Sequence, residues 1–452
     1  MKAELRLAWL LTRGSDRREW WRVTLTAIGA LLATGFALAA VTLSSLQGRY
    51  NVPVGNGLLD QPGERSGVVL TLLLLLVPVL GFLGQCARIG AVHRDRRLAA
   101  LRLAGATPRQ VRRIAALETG LACLVGSAVA TVVSILSLLR LWGSPTALAW
   151  AGIALVALGT PVLGSLVGVL ALRRVVASPL GWVRRVRPRS GRGPGAGFLI
   201  GVLFVLATGA VGLVNLYVDM PNASFNSVPL GVFGVILATG TGAVWLSGAA
   251  ARRTGRLLAA RTGNPATLIA AERLRDDPWA AARTHAAVLL VTVVGTAFIG
   301  IRQVLLDELN GRDPDSLGAD LSFYTTGVDL TGAAILVALA ITLSGLAVGT
   351  AESLATRRRG LAAQAAAGVP YAVLGRALLL ETALPLAPAV ALAGAGGMVI
   401  STWYAAVAAD GGPVPLLPLL VPVAVYAACL LAAATSLPLL RRSVHPAELR
   451  YT

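Results

Sequence analysis

Ten apolar stretches of about 20 residues recur along the chain, and they constrain its fold more than any other feature. They lie at roughly 21–45, 67–88, 115–139, 148–172, 196–217, 229–250, 284–304, 328–351, 377–405 and 415–440. Each is long enough to cross a hydrocarbon core of about 30 Å. A chain with 56% hydrophobic and only 13% charged residues is unlike a soluble enzyme. The sequence therefore predicts an all-α polytopic membrane protein with about ten transmembrane helices.

The positive charges fall on alternate connections between these stretches. Of the 40 basic residues, all but Arg49, Arg65, Arg140, Arg302 and Arg312 lie in the connections on the N-terminal side of the membrane. This bias is typical of cytoplasmic segments, so both termini are predicted to be cytoplasmic and the protein to lie in a bacterial cell membrane. The net charge of +19 then favours contacts with acidic membrane lipids and argues against a nucleic-acid partner.

The N-terminal apolar stretch is predicted to be an uncleaved first span, because its basic lead and its apolar run both exceed those of a secretory signal. The three cysteines, Cys86, Cys123 and Cys429, lie in apolar stretches and are expected to be buried small hydrophobes. The three histidines are expected to be solvated near inner span ends, without metal-ligand spacing; they are His93, His285 and His445. No metal site is therefore predicted.

The chain repeats itself at a constant offset of 263 residues. The matched pairs include Gly105 with Gly368, Glu118 with Glu381, Thr119 with Thr382, and Arg94 with Arg357. The offset predicts two four-helix repeats, 1–187 and 263–452, separated by a linker at 188–262 with two further transmembrane helices. Because an even number of spans separates them, the repeats should insert in the same orientation, related by an axis along the membrane normal.

A polar turn inside each repeat interrupts this apolar pattern. In "RLAGATPRQVRRIAALETGL" (102–121), Gly105 suits the left-handed position that ends a helix. Thr107 and Gln110 have the spacing of a capping box, and Pro108 suits the first position of the next helix. The second copy, "AAAGVPYAVLG" (365–375), keeps the glycine and a proline but has no capping threonine, so it is predicted to be less firmly fixed.

Glu118 and Glu381 follow these turns at the inner ends of spans, and three interpretations stay open. Each carboxylate could be an interfacial anchor, paired with Arg112 or Arg113 in the first repeat and with Arg376 in the second. Each could instead form an interhelical pair that ties the turn to the transmembrane helices. A substrate or proton site is the third interpretation, although coupling carboxylates usually lie near the midplane.

The stretch "RRLAALRLAGATPRQVRRIAALETGL" (96–121) resembles the cytoplasmic segment after the second span of FtsX/MacB-type (type VII) ABC transporter permeases. The ten-span, single-chain arrangement is similar to the peptide-antibiotic detoxification (BceB-like) branch of that family. The resemblance covers both four-helix repeats. It implies a permease that is moved by cytoplasmic ABC ATPase subunits, two copies per chain, which bind ATP and Mg.

By that resemblance, the two turns are the sites at which the ATPase subunits couple to the permease. One subunit would receive Gly105, Ala106, Thr107, Pro108, Arg109 and Gln110, and the other would receive Gly368, Val369 and Pro370. The residues agree that the motor is a separate chain, since a Walker-type phosphate loop needs a lysine after its glycines and the only lysine is Lys2. No cofactor is expected on this chain.

The outer loops are short where relatives carry a large extracytoplasmic domain, at about 46–66 and 305–327. This difference favours a lipid-like substrate that is reached from within the bilayer. By the resemblance, the function is then export or extraction of an amphipathic or lipid-like compound or an antimicrobial peptide, and thus efflux or antibiotic resistance. The acidic second loop either binds a cationic ligand or only follows the topology. Two alternatives stay open: a secondary transporter with parallel repeats, and an antibiotic-sensing regulatory membrane protein. An intramembrane enzyme is disfavoured, because no catalytic constellation lies at a common depth.

Overall fold

The computed structural model describes residues 17–46, 48–49, 56–86, 103–142, 145–171, 227–313, 320–408 and 414–443. The regular secondary structure within these ranges is helical throughout. The chain divides into two compact units, one comprising Met1–Val186 with Ser322–Ala334 and the other comprising Arg187–Leu321 with Ile335–Thr452.

Twelve α-helices lie in the described ranges. The first four are α1 (Arg17–Ser44), α2 (Pro62–Cys86), α3 (Pro108–Trp142) and α4 (Ala147–Ala171). The next four are α5 (Ser227–Arg261), α6 (Pro265–Asp276), α7 (Pro278–Gly311) and α8 (Leu321–Thr356). The last four are α9 (Arg358–Ala366), α10 (Tyr371–Ala408), α11 (Leu420–Ala434) and α12 (Leu437–Ser443), and a short 3-10 turn at Leu417–Leu419 precedes α11.

Nine helical stretches within the described ranges are long and apolar enough to cross a membrane, and the last of them, Leu417–Arg441, runs through the 3-10 turn and α11 into α12. They coincide with nine of the ten predicted stretches, and the tenth, 196–217, lies outside the described residues. Many helices extend beyond the predicted spans; α10, for example, runs without a break through Pro385 and Pro388. The extensions are the polar helix ends that a search for apolar residues alone does not detect.

The first unit is held together by close contacts between α1, α3 and α4. A methyl group at Gly126 of α3 would lie 2.1 Å from the backbone oxygen of Ala27 in α1, so only glycine allows this approach. Ser127 donates a hydrogen bond to the backbone oxygen of Ala157 at 3.0 Å. Small residues and interhelical hydrogen bonds take the place of the hydrophobic driving force that lipid does not supply.

The second unit has its core where α5, α7 and α10 meet. Its buried residues include Ala243, Leu289 and Val390, one from each of these helices. A methyl group at Gly397 of α10 would lie 2.7 Å from the backbone oxygen of Val293 in α7. The same device of small residues at helix contacts therefore packs both units.

His285 corrects the expectation that the histidines are solvated. It is only 3% exposed, and its Nδ1 has no hydrogen-bond partner among the described residues. The reason is that α7 begins at Pro278, seven residues earlier, so His285 lies well inside the helix on the face that also buries Ala282 and Leu289. Cys86, Cys123 and Cys429 are buried as predicted.

Candidate coupling elbows and the Glu381 ion pairs

The first polar turn, residues 103–110, has the geometry that its sequence predicts; we call it the first elbow. Gly105 has φ of 97°, in the left-handed region. The Thr107 backbone N–H donates to Gln110 Oε1 at 2.8 Å, and the Gln110 N–H donates to Thr107 Oγ1 at 3.3 Å, which completes a reciprocal capping box. Pro108 is the first residue of α3. The capping box fixes the start of α3 by local bonds alone.

The second polar turn, residues 367–371, is the second elbow, and it is closed in a different way. Gly368 has φ of 89°. Its N–H donates to the oxygen of Ala365 at 2.9 Å, and the N–H of Val369 donates to the oxygen of Gln364 at 3.1 Å. These two bonds form a Schellman motif, which satisfies the last carbonyls of α9. Pro370 directly precedes α10.

The second elbow also contacts α12, through residues that sequence reasoning did not single out. Tyr371 donates a hydrogen bond from its hydroxyl to the backbone oxygen of Leu437 at 2.7 Å. The guanidinium of Arg441 lies 5.4 Å from the centroid of the Tyr371 ring, within cation–π range. A buried leucine cluster that includes Leu354 and Leu440 packs against Val369. Tertiary contacts therefore support the second elbow, which has no capping threonine. The prediction of a less firmly fixed turn considered only local contacts.

Glu381 forms ion pairs with two arginines from other segments. Its Oε1 lies 2.6 Å from an Nη of Arg357, in the turn between α8 and α9. Its Oε2 lies 3.2 Å from an Nη of Arg273, on α6. The Glu381 side chain is 19% exposed and that of Arg273 is 15% exposed, so both are largely shielded from water. Of the three interpretations, the anchor named Arg376 as the partner, but the carboxylate pairs with Arg273 and Arg357, between α6 and the turn after α8.

Glu118 lies in α3, 263 residues before Glu381. It is 5% exposed, on the helix face that also buries Val111, Ile114 and Ala122. Burying a carboxylate this fully costs free energy unless the group is hydrogen-bonded or paired. The burial of Glu118 is therefore a feature of the helix packing and not of the protein surface. The structure thus buries the carboxylate of the first repeat more fully than that of the second.

Arg273 and Arg357 were not predicted from the sequence as partners of Glu381. Arg273 lies on a short amphipathic helix whose Ala270, Ala271 and Leu274 are buried, and Arg357 begins a run of three arginines. Nothing in either local pattern distinguishes these arginines from their neighbours. The repeat offset is the one signal that could have identified Arg357 as a candidate, because an arginine, Arg94, also lies at the matched position of the first repeat.

The long apolar helices of the described ranges, one of which begins at a capped polar turn, define a class: a multi-span helical membrane protein. Residues 67–180 match the family described as FtsX-like permease C-terminal. This segment is about a quarter of the chain, and it contains the first elbow, Glu118 and the whole of α3 and α4. The chain therefore carries an FtsX-like permease domain. A comparison with curated proteins finds no match.

The match suggests an ABC transporter permease, since FtsX-like permeases generally pair with ABC ATPases and are themselves typically non-catalytic membrane subunits. Within the described residues, no group of three histidine, cysteine, aspartate or glutamate side chains could hold a metal ion.

Proposed function

We propose that this chain is the membrane permease subunit of an ATP-driven ABC transporter of the mechanotransmission type. Two copies of a separate ABC ATPase, which hold ATP and Mg, move the permease from the cytoplasmic side. The observation that carries the proposal is the FtsX-like match over 67–180, because this segment contains the exposed elbow with its left-handed Gly105 and its capping box.

The shape of the first elbow supports a role in docking. Gly105, Thr107, Arg109 and Gln110 are all exposed, while the capping box holds the backbone between them. A preformed turn loses little conformational entropy when a partner closes around it. The elbow also continues directly into α3, a helix of 35 residues. A force applied at the elbow is therefore delivered to a helix long enough to cross the bilayer.

The Glu381 ion pairs support a mechanical role for the second elbow. Glu381 lies ten residues after Tyr371, the residue at which the elbow ends and α10 begins. Through its two oxygens it joins α10 to α6 and to the turn that precedes α9. Motion of the elbow thus displaces three segments together instead of bending one helix. Under this proposal, Glu118 has the same linking role in α3 that Glu381 has in α10.

We propose that the substrate is an amphipathic or lipid-like compound, or an antimicrobial peptide, that is exported or extracted from the bilayer. Supporting this, only a short connection separates Gly311 of α7 from Leu321 of α8. The helices of the first unit also expose large apolar side chains along their lengths, such as Leu74, Val133, Leu155 and Leu163. Such faces suit lipid chains and molecules dissolved among them.

The test is to purify the tagged chain from its native membranes and to count the chains that accompany it by native mass spectrometry. Two ATPase copies per chain are expected. Thr107→Arg with Arg109→Glu should reduce that number while leaving insertion intact, because it replaces the cap and reverses a charge. Arg140→Glu, at the other end of the same helix, is the matched control and should keep both copies.

The opposite outcome is equally clear. A chain that purifies alone, and that transports a compound when a proton or sodium gradient is applied, would show a secondary transporter and overturn the proposal. A complex whose ATP hydrolysis moves no compound, but which changes the activity of a kinase, would establish the sensing role instead.

A further inference from the structure

Pro161 interrupts the backbone hydrogen bonds of α4. A proline has no N–H, so the backbone oxygen of Ala157, four residues earlier, loses the donor that a regular helix supplies. Ala157 lies near the middle of the apolar stretch Ala147–Leu166. Because the hydrocarbon core of a bilayer holds no water, this oxygen needs a donor from the protein.

Ser127 of α3 supplies that donor. Its hydroxyl donates to the Ala157 oxygen at 3.0 Å, and the residue is only 1% exposed. In a regular helix, the N–H of residue 161 would occupy this oxygen, and a bond from another helix would add little. Pro161 therefore makes a backbone oxygen of α4 available to α3, and the bond from Ser127 favours one position of α3 along α4.

Thr160 holds a second donor within reach of the same oxygen. Its hydroxyl donates to the backbone oxygen of Val156 at 3.0 Å and accepts a hydrogen bond from Thr34 of α1 at 3.2 Å. A threonine inside a helix can donate to the oxygen four residues earlier or to the one three residues earlier. For Thr160 the second of these is Ala157, so a small rotation of its side chain gives that oxygen a donor without α3.

Glycines bring α3 and α4 together on the side of this bond that is nearer to the first elbow. A methyl group at Gly120 of α3 would lie 3.5 Å from Cβ of Ser165, and one at Gly164 of α4 would lie 3.0 Å from Cβ of Cys123. Small residues let two helices approach closely without interlocking large side chains. The bond from Ser127 is a directional contact, and it distinguishes one register of α3 along α4 from the next.

We infer that Pro161 and Ser127 form a latch that sets the register of α3 along α4, with Thr160 as the alternative donor. This inference rests on the proposed function, in which the ATPase displaces α3 through the first elbow. In the latched register Ser127 donates to the Ala157 oxygen. When α3 is displaced, Thr160 donates to it instead, so the oxygen has a donor in both registers. One hydrogen bond replaces the other, which keeps the two registers close in free energy.

The experiment measures the register through disulfide formation between α3 and α4. The background chain has Cys86, Cys123 and Cys429 replaced by alanine. Gly120→Cys with Ser165→Cys then places two Cβ atoms 3.5 Å apart, within the range of about 3.5–4.5 Å that a disulfide needs. The initial rate of oxidation reports how much of the chain is latched. In the complex purified from native membranes, we expect this rate to fall when ATP and vanadate are added.

Two variants should change this rate in opposite directions. Ser127→Ala removes the donor of the latched register, and Thr160→Val removes the donor of the other. With ATP and vanadate, where the latched register is the minority, the first should slow oxidation about two- to tenfold and the second should speed it by a similar factor, since each change removes one hydrogen bond.

Pro161→Ala tests whether the proline creates the latch. It returns an N–H donor to the Ala157 oxygen, which no longer needs Ser127. Ser127→Ala should therefore have no further effect on the rate of oxidation in the Pro161→Ala background.

A second cysteine pair is the matched control. Val41→Cys with Gly152→Cys joins α1 to α4, and the two Cβ atoms are also 3.5 Å apart. Because the latch acts between α3 and α4, this pair should oxidise at the same rate in every variant, with and without nucleotide. If Ser127→Ala slows both pairs alike, it has loosened the packing of α4 as a whole and the inference fails.

The remaining outcomes separate the inference from the function on which it rests. If no ATPase accompanies the chain, the proposed function fails, and the purified chain alone still tests the latch: Ser127→Ala must oxidise more slowly than Thr160→Val, and equal rates overturn it. If the ATPase is present but ATP and vanadate leave the rate unchanged, only the inference fails. It also fails if the two variants change the rate in the same direction.

Discussion

Gly105 determines the backbone conformation of the first elbow. A methyl group at this position would meet nothing within 4 Å, so space does not require glycine. Its φ of 97° does, because a side chain in the left-handed region costs about 1–2 kcal/mol. The same holds for Gly368, whose φ is 89° and whose surroundings are equally open. Both glycines are thus needed for their backbone conformation alone.

Gly105→Ala should therefore weaken the first elbow by about 1–2 kcal/mol and lower the recovery of the ATPase. Thermal unfolding in detergent and co-purification measure the two effects. Gly159→Ala is the matched control: Gly159 also has open space around it, but it lies inside α4, where alanine is preferred over glycine by about 0.5–1 kcal/mol. If the two variants behave alike, the positive φ has no role in docking.

Gly126 lies at a close contact between two helices. Gly126→Ala should push α3 away from α1, since the new methyl group would overlap the Ala27 carbonyl. Overpacking of this kind costs about 1–3 kcal/mol. The expected result is a lower midpoint of thermal unfolding than in wild type, with Gly159→Ala unchanged or higher. An unchanged midpoint in Gly126→Ala would mean that the contact between α1 and α3 is loose.

The ion pairs of Glu381 join separate helices instead of stabilising a single one. Glu381→Gln removes the charge that both Arg273 and Arg357 contact. Exposed pairs contribute about 0–1 kcal/mol and fully buried ones more, so about 1–2 kcal/mol is expected for this site, which is largely but not fully shielded from water. Amide hydrogen exchange across Pro265–Asp276 should become roughly tenfold faster.

Glu272→Gln is the control for that measurement. It breaks a 2.7 Å pair with Arg275 on the same helix, but both of these side chains are about half exposed. A pair in water contributes little, so exchange in α6 should hardly change. Equal effects from the two variants would mean that Glu381 does not link α6 to α10.

The distribution of arginines along the chain predicts which side of the membrane each connection faces. Asn310, near the end of α7, is expected outside, and Ala367, in the second elbow, is expected inside; both are exposed. In a background without Cys86, Cys123 and Cys429, Asn310→Cys should react with a membrane-impermeant maleimide in intact cells. Ala367→Cys should react only after the membrane is opened. The reverse pattern would place the elbows outside and exclude a cytoplasmic ATPase as their partner.

Much of this organisation could be predicted from the sequence because it depends on local chemistry. Runs of apolar residues determine where a helix can enter lipid, so nine of the predicted stretches coincide with long helices of the described chain. The capping box at Thr107 and Gln110 could also be predicted, since it joins residues three positions apart. The left-handed glycines belong to the same group, because only glycine adopts that conformation readily.

The contacts that could not be predicted from the sequence join residues that are distant along the chain, because folding alone brings them together. The partners of Glu381 come from positions 24 and 108 residues away. The second elbow is supported by Leu437, 66 residues beyond Tyr371. His285 is buried because of the helices packed around it, although its sequence position resembles a solvated one. Charge and hydropathy patterns indicate whether a residue prefers water or an apolar interior. The packing of the helices determines which other residues it contacts there.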